Sequence, residues 1–153
     1  MRNRLNRNVA AAILLLSAAT QGWSDTKSGD ANLQELKFED VAKKAVKVNL
    51  GDKVKAECSY YIQPDFFGKK VVSVGARVKN TSDKVMYYGY YVAFFDKDKK
   101  LVACSSFGGG QIAKLDPGKE TFIGNVLELP PDQIKKIASY QVTLLEGDKE
   151  FGK

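Results

Sequence analysis

The feature that most limits what this chain can become is a two-residue rhythm. Val54, Ala56, Cys58, Tyr60 and Ile62 alternate with Lys55, Glu57, Ser59 and Tyr61. Val72, Val74, Ala76 and Val78 alternate with Ser73, Gly75, Arg77 and Lys79. Side chains of an extended chain point alternately to opposite faces, so this spacing predicts half-buried strands, with Cys58 on an inward face. Tyr140, Val142 and Leu144 repeat the pattern around Gln141 and Thr143, and Val46, Val48 and Leu50 do so around Lys47 and Asn49. The run from Val85 to Phe95 is apolar or aromatic at nearly every position, as befits a central strand. Leu101 to Phe107 is expected as the next strand, with Val102 and Cys104 on one face, and Thr121 to Leu129 as another.

Turn formers separate these runs. They are Gln63-Pro-Asp-Phe-Phe-Gly68, Asn80-Thr-Ser-Asp83, Asp96 to Lys100 and Leu115-Asp-Pro-Gly-Lys119. Pro130-Pro-Asp-Gln-Ile-Lys-Lys-Ile137 reads as a helical turn or two, with proline at the start where its missing N–H costs nothing. No long amphipathic helix is present to cover a parallel sheet. The prediction is an all-β, immunoglobulin-like antiparallel sandwich of about seven strands, with one short helix before the last strand.

Val72 to Leu145 resembles the FxLYD-type and related immunoglobulin-like domains of exported bacterial proteins. The resemblance is carried by Val-Lys-Asn-Thr-Ser-Asp (78–83), Val-Ala-Phe-Phe-Asp-Lys-Asp-Lys-Lys-Leu-Val (92–102), Leu-Asp-Pro-Gly-Lys (115–119) and Ile-Ala-Ser-Tyr-Gln-Val (137–142). The chain departs from the pattern at Val92 to Asp96, which lacks the family's Phe-x-Leu-Tyr. It also has Lys99 where the hairpin commonly has glycine. The resemblance implies the sandwich and no shared catalytic or ligand residue.

The first residues carry Arg2, Arg4 and Arg7 without an acid, then the apolar run Val9 to Ala19, then small and polar residues to Ser24. A basic start, a short apolar stretch and small residues at a cut site make a secretory signal, expected over 1–24 with cleavage after Ala19, Gly22 or Ser24. The apolar run is well short of the ~20 residues of a stable membrane span. Residues 25–40 are polar and expected as a flexible leader, with 41–153 as the single domain. An exported product would work in the periplasm or outside the cell.

With the leader arginines set aside, 21 basic side chains face 18 acidic ones, and only Arg77 among them is an arginine. Nucleic-acid readers favour arginine for bidentate contacts, and these lysines are interspersed with acids, so no nucleic-acid partner is expected. The chain has no histidine. That removes the commonest general base and the commonest metal ligand, so neither a histidine-based triad nor an ordinary zinc site can be built. No catalytic residue, metal or cofactor is expected.

In an exported chain the two cysteines, Cys58 and Cys104, read first as a disulfide; two buried free thiols are the alternative. Asp96-Lys-Asp-Lys lacks the glycine and later glutamate of a calcium loop and reads as a hairpin. Gly108-Gly-Gly110 is not followed by the Gly-Lys-Ser/Thr of a phosphate loop. Asn80-Thr-Ser82 fits a glycosylation sequon, and a turn explains the same residues. A carboxylate-dependent, glycan-active enzyme is the alternative function; it would draw on Asp65, Asp96, Asp116 and Glu128.

The tyrosines bear on a binding role. Tyr88 and Tyr90 share one strand face, Tyr87 and Tyr91 the other. One pair enters the core. The other forms an aromatic strip for a protein or glycan partner, unless Leu33, Leu36 and Phe38 of the leader or the Phe66-Phe67 loop covers it. Tyr87, Tyr91, Phe66 and Phe67 are the expected contact residues of a non-enzymatic binding or structural module.

Overall fold

The computed structural model describes residues 23–107 and 113–150, and two antiparallel sheets face each other across one core. The front sheet has the order β1 (Trp23–Asp30), β9 (Ser139–Gly147), β5 (Met86–Phe95), β6 (Leu101–Phe107), with β7 (Ala113–Leu115) also pairing β5. The back sheet has the order β2 (Val46–Leu50), β3 (Val54–Phe66), β4 (Lys69–Asn80), β8 (Glu120–Leu127). Two short helices complete the fold: α1 (Phe38–Lys44) and α2 (Pro131–Ile134). This is the all-β, immunoglobulin-like sandwich that the alternation predicts. The short helix before the last strand is present as α2, with Ile134 buried beneath it.

The core is where the alternation places it. Val54, Ala56, Cys58 and Tyr60 of β3 and Val72, Val74, Ala76 and Val78 of β4 face Tyr88, Tyr90, Val92 and Phe94 of β5 and Val142 and Leu144 of β9. Tyr60 spans the gap, edge-on to Phe94 at 5.6 Å and tilted against Tyr140 at 5.0 Å. Burying rings and branched chains on both inner faces is the main favourable term in such a fold.

Polar contacts close the two long edges. On one side Asn125 Nδ2 of β8 donates to Ser105 Oγ of β6 at 2.9 Å. On the other, the β2–β3 turn leans on the front sheet: the N–H of Gly51 donates to Asp25 of β1 at 3.0 Å, and those of Asp52, Lys53 and Val54 donate to Glu146 of β9. Gly51 has φ +95°, and a Cβ there would lie 1.8 Å from the Val54 carbonyl oxygen, so only glycine fits.

The expected turns form, and their polar side chains are consumed by them. Asn80 is fully buried. Its amide donates to the carbonyls of Lys84 and Leu115 and accepts from Ser82, which leaves the sequon's acceptor nitrogen inside the fold. Asp96 Oδ1 accepts the N–H groups of Asp98 and Lys100, the work of a hairpin cap. Lys99 holds φ 60°, the left-handed conformation for which glycine is usual, so its departure from the hairpin pattern is a mildly strained one.

Three expectations need correcting. Residues 25–40 are not a flexible leader. Trp23–Asp30 is β1, paired with β9 along its whole length, and the chain then pairs Glu35 with Ile62 and forms α1, so the folded unit begins well before residue 41. Its polar sequence hides it because both of its faces are exposed; backbone hydrogen bonds to β9 hold it rather than an apolar face. The strands number nine among the described residues rather than about seven, the additions including β1 and the short β7. The disulfide is absent: Cys58 and Cys104 are both free. Cys104 pairs with Ala93, which alternates with the inward Val92 and Phe94, so Cys104 points out of the front sheet while Cys58 points into the core from the back sheet. Sheets pack about 10 Å apart, beyond the ~4.4–6.8 Å between Cα atoms that a bridge requires. The expected signal sequence, as far as residue 22, and Gly108 to Gly110 lie outside the described residues.

Candidate interaction surfaces

The outer faces of the two sheets differ in charge. On the back sheet, Lys47 pairs with Glu57 at 3.2 Å and Arg77 with Glu120 at 3.7 Å, with Lys55 and Lys79 alongside. Part of that face is roofed: Leu36, Val41 and Ala45, from α1 and its flanks, pack on Tyr61. Phe122 lies over Gly75 and Gly124, its ring filling the space a Cβ would need at both, and is 70% exposed.

The front sheet's outer face is built from β5 outward. Tyr87, Gly89, Tyr91, Ala93 and Phe95 point away from the core, since Tyr88, Tyr90, Val92 and Phe94 point into it. Register places Leu145 beside Gly89, Thr143 and Ser106 beside Tyr91, Gln141 and Cys104 beside Ala93, and Ser139 and Leu101 beside Phe95. Thr26 of β1 continues the Tyr91 row and shares a 3.0 Å hydroxyl–hydroxyl hydrogen bond with Thr143. Among the described strand positions of this face, charge appears only at the margins, at Asp30 and Lys114. Such charge depletion marks the centre of protein interfaces.

Tyr91 is the most exposed ring on this face, at 41%. Its Cε2 lies 3.6 Å from where a Gly89 Cβ would be, and Leu145 closes the same spot at 3.9 Å. The ring therefore rests on the glycine and against Leu145, and its remaining surface meets solvent. Tyr87, at the other end of the row, is half-buried. The segments expected to cover this strip lie elsewhere: Leu36 is on Tyr61 of the back sheet, Leu33 packs on the main core, and Phe66 and Phe67 sit at the β3–β4 turn. The strip that periodicity pairs as Tyr87 and Tyr91 is thus a single outward row. Gly89, Leu145 and Thr143 complete it; alternation along β5 places Gly89, and only register across β9 reveals Leu145 and Thr143.

The core contains a chain of ionisable groups. Burial pushes the Cys58 thiol up to about 12, opposed by its hydrogen bond with the Tyr90 hydroxyl. Burial likewise raises Tyr90, then its neighbours Cys58 and Tyr60; burial raises Tyr60, then Tyr140. At neutral pH these groups are protonated, and Cys58 is not a nucleophile.

The acids considered for glycan chemistry sit in or beside turns and strand ends. Asp96 caps the β5–β6 hairpin, Glu128 pairs with Lys69 at 2.7 Å, and Asp116 lies in the β7–β8 turn at the opposite end of the sandwich. Asp65 belongs to the β3 end of the β3–β4 hairpin. Among the described residues, no group of three or more His, Cys, Asp or Glu side chains could hold a metal ion, and no helix is long and apolar enough to cross a membrane.

These features define a small β-sandwich with one charged, partly roofed face and one aromatic face whose charges lie at its margins. No family model matches the chain, and no curated protein matches it. Among solved structures, it is similar to the Salmonella enterica trimeric lipoprotein SadB at 12% identity, covering 97% of this chain and 72% of that one with a TM-score of 0.44. It is also similar to a protein of the infectious bursal disease virus T13 particle at 13% identity, covering 84% of this chain and 27% of that one with a TM-score of 0.44. Likenesses this distant assign neither family nor activity to the chain.

Proposed function

We propose that the chain is an exported, non-enzymatic binding module of the cell envelope or secreted space. It presents the outer face of its front sheet to a protein or glycan partner. The observation that carries this reading is the Tyr91 ring, seated on Gly89 and Leu145 at the centre of a face whose charges lie only at its margins. A surface with charge only at its margins, an aromatic ring seated on a glycine and the hydroxyls of Thr143 and Ser106 offers apolar area with hydrogen-bonding groups beside it. Export accounts for the basic and apolar first residues, and the resemblance of 72–145 to FxLYD-type domains belongs to the same proposal.

The test is recovery of partners from envelope extract by the exported protein and by a Tyr87→Ser/Tyr91→Ser variant. The reading expects partners captured by the first and lost by the second. Equal recovery by both would remove this face as the binding surface.

A further inference from the structure

The β3–β4 hairpin outruns its sheet. β8 pairs β4 only from Val72 to Lys79, and β2 pairs β3 only from Ala56 to Tyr60. Past Ile62 and Val72 the two strands continue as a finger, with a register shift between Gln63 and Phe66, and turn at Phe67 and Gly68. Phe67 is 92% exposed and holds φ 51°, a left-handed conformation in which a bulky residue is strained and for which asparagine or glycine is the ordinary choice. Phe66 braces it edge-on, with ring centroids 4.9 Å apart. An exposed, strained phenylalanine contributes nothing to the core, and strain held at an exposed tip points to a use outside the fold.

A second prong stands at the same end. The segment around Glu35 runs parallel to β3, towards the finger, and delivers Phe38 to the start of α1 before the chain returns to open β2 opposite Tyr60. Phe38 is 82% exposed. Among the described residues, Phe67 and Phe38 are the two most exposed of the large apolar side chains, and both sit among charged groups: Lys37 precedes Phe38, Glu39 and Asp40 follow it, and Lys69 and Lys70 follow the finger's turn. Lys70 pairs with Glu35, which ties the bases of the two prongs together, and Lys69 pairs with Glu128. Trp23, where β1 begins, lies at the opposite end of the sandwich beside Glu146.

We infer that this end of the molecule docks on a lipid bilayer surface. Phe67 and Phe38 enter the acyl boundary, and Lys37 with the Lys69–Glu128 and Lys70–Glu35 pairs lies at headgroup level. Separate convex prongs suit a deformable medium; a protein partner would need a matching pocket for each. Aromatic tips with charged, ion-paired bases match the layered chemistry of an interface, apolar within and polar at the headgroups. The contact is peripheral, and it is distinct from the front-sheet face of the proposed function.

The test is cosedimentation of the full chain with vesicles of equal parts phosphatidylcholine and phosphatidylglycerol, and with pure phosphatidylcholine vesicles. The variants are Phe67→Asn, which suits the left-handed turn, Phe38→Ser, and both together; melting curves establish that each is folded. The expected result is binding to both kinds of vesicle, weakened about ten-fold by each substitution, since each removes a buried ring. The Tyr87→Ser/Tyr91→Ser variant binds vesicles as the unaltered chain does, so failure of one surface is distinguishable from failure of the other. The inference is overturned if the double phenylalanine variant cosediments as well as the unaltered chain. It is equally overturned if Phe67→Asn abolishes capture of a protein partner while vesicle binding is unchanged.

Discussion

Glu146, on β9 of the front sheet, accepts the backbone N–H of Val54, where β3 of the back sheet begins. The same carboxylate takes the N–H groups of Asp52 and Lys53, each at 3.2 Å, and it is 3% exposed. One side chain therefore satisfies three donors of the turn whose Gly51 admits no side chain, and it joins the two layers at an edge where no strand pairing joins them. Charge-assisted bonds to backbone donors are among the stronger ones in proteins.

Glu146→Ala leaves those donors without their acceptor and opens the edge. The expected loss is about 2–4 kcal/mol, the scale of orphaned buried polar groups. Urea unfolding of the two proteins measures it. A midpoint within error of the unaltered protein would remove the clamp from the account.

The buried thiol and phenols set an alkaline limit. The folded protein holds the Cys58 proton up to about 12, against an ordinary value of 9.0, and holds those of Tyr60 and Tyr90 well past the ordinary 10.0. Raised values on acids that are neutral when protonated mean that the unfolded chain releases protons first. Their contribution is whole below pH 9 and falls as pH rises from 9 towards 12, by about 1.4 kcal/mol per pH unit for each lagging group. Cys58→Ala should flatten the fall most between pH 9 and 10, where the thiol contributes more than the phenols. Denaturant midpoints across that range, compared as slopes, give the answer; parallel slopes would exclude Cys58.

The two thiols should behave differently towards a water-soluble disulfide reagent. Cys104 is exposed and reacts in the native protein; Cys58, buried and held protonated, reacts only after unfolding. One thiol titrated natively and two in denaturant is the expected count. None in denaturant would restore the disulfide.

Phe67→Asn should raise stability by about 0.5–1.5 kcal/mol, because it relieves a left-handed bulky residue that buries nothing. Calorimetry would show a higher Tm. A lower one would mean that the edge-on contact with Phe66 outweighs the strain.

Much of this fold is local in origin and therefore legible in the order of residues. Alternation in β3, β4, β5 and β9 decides which side chains share a face, and Asn80, Asp96 and the Pro117-Gly118 pair mark turns through their own backbone chemistry. The Tyr87–Tyr91 row and the Phe66-Phe67 turn were both visible in that way. β1 was not, because a polar strand exposed on both faces carries no periodic signal and exists only once β9 offers its edge.

What tertiary structure alone decided is which of two sharing sets looks inward and what a strand meets there. In β6 neither alternating set is clearly apolar, and Cys104 turns outward only because register with β5 sets it beside Ala93. Glu146 reads as one acid near the end of the chain; its role as a clamp appears when the Gly51 turn arrives from the other sheet. Periodicity is a property of neighbours along the chain. The inward direction, the partner strand and the buried acceptor depend on residues far away in sequence, and only packing brings those together.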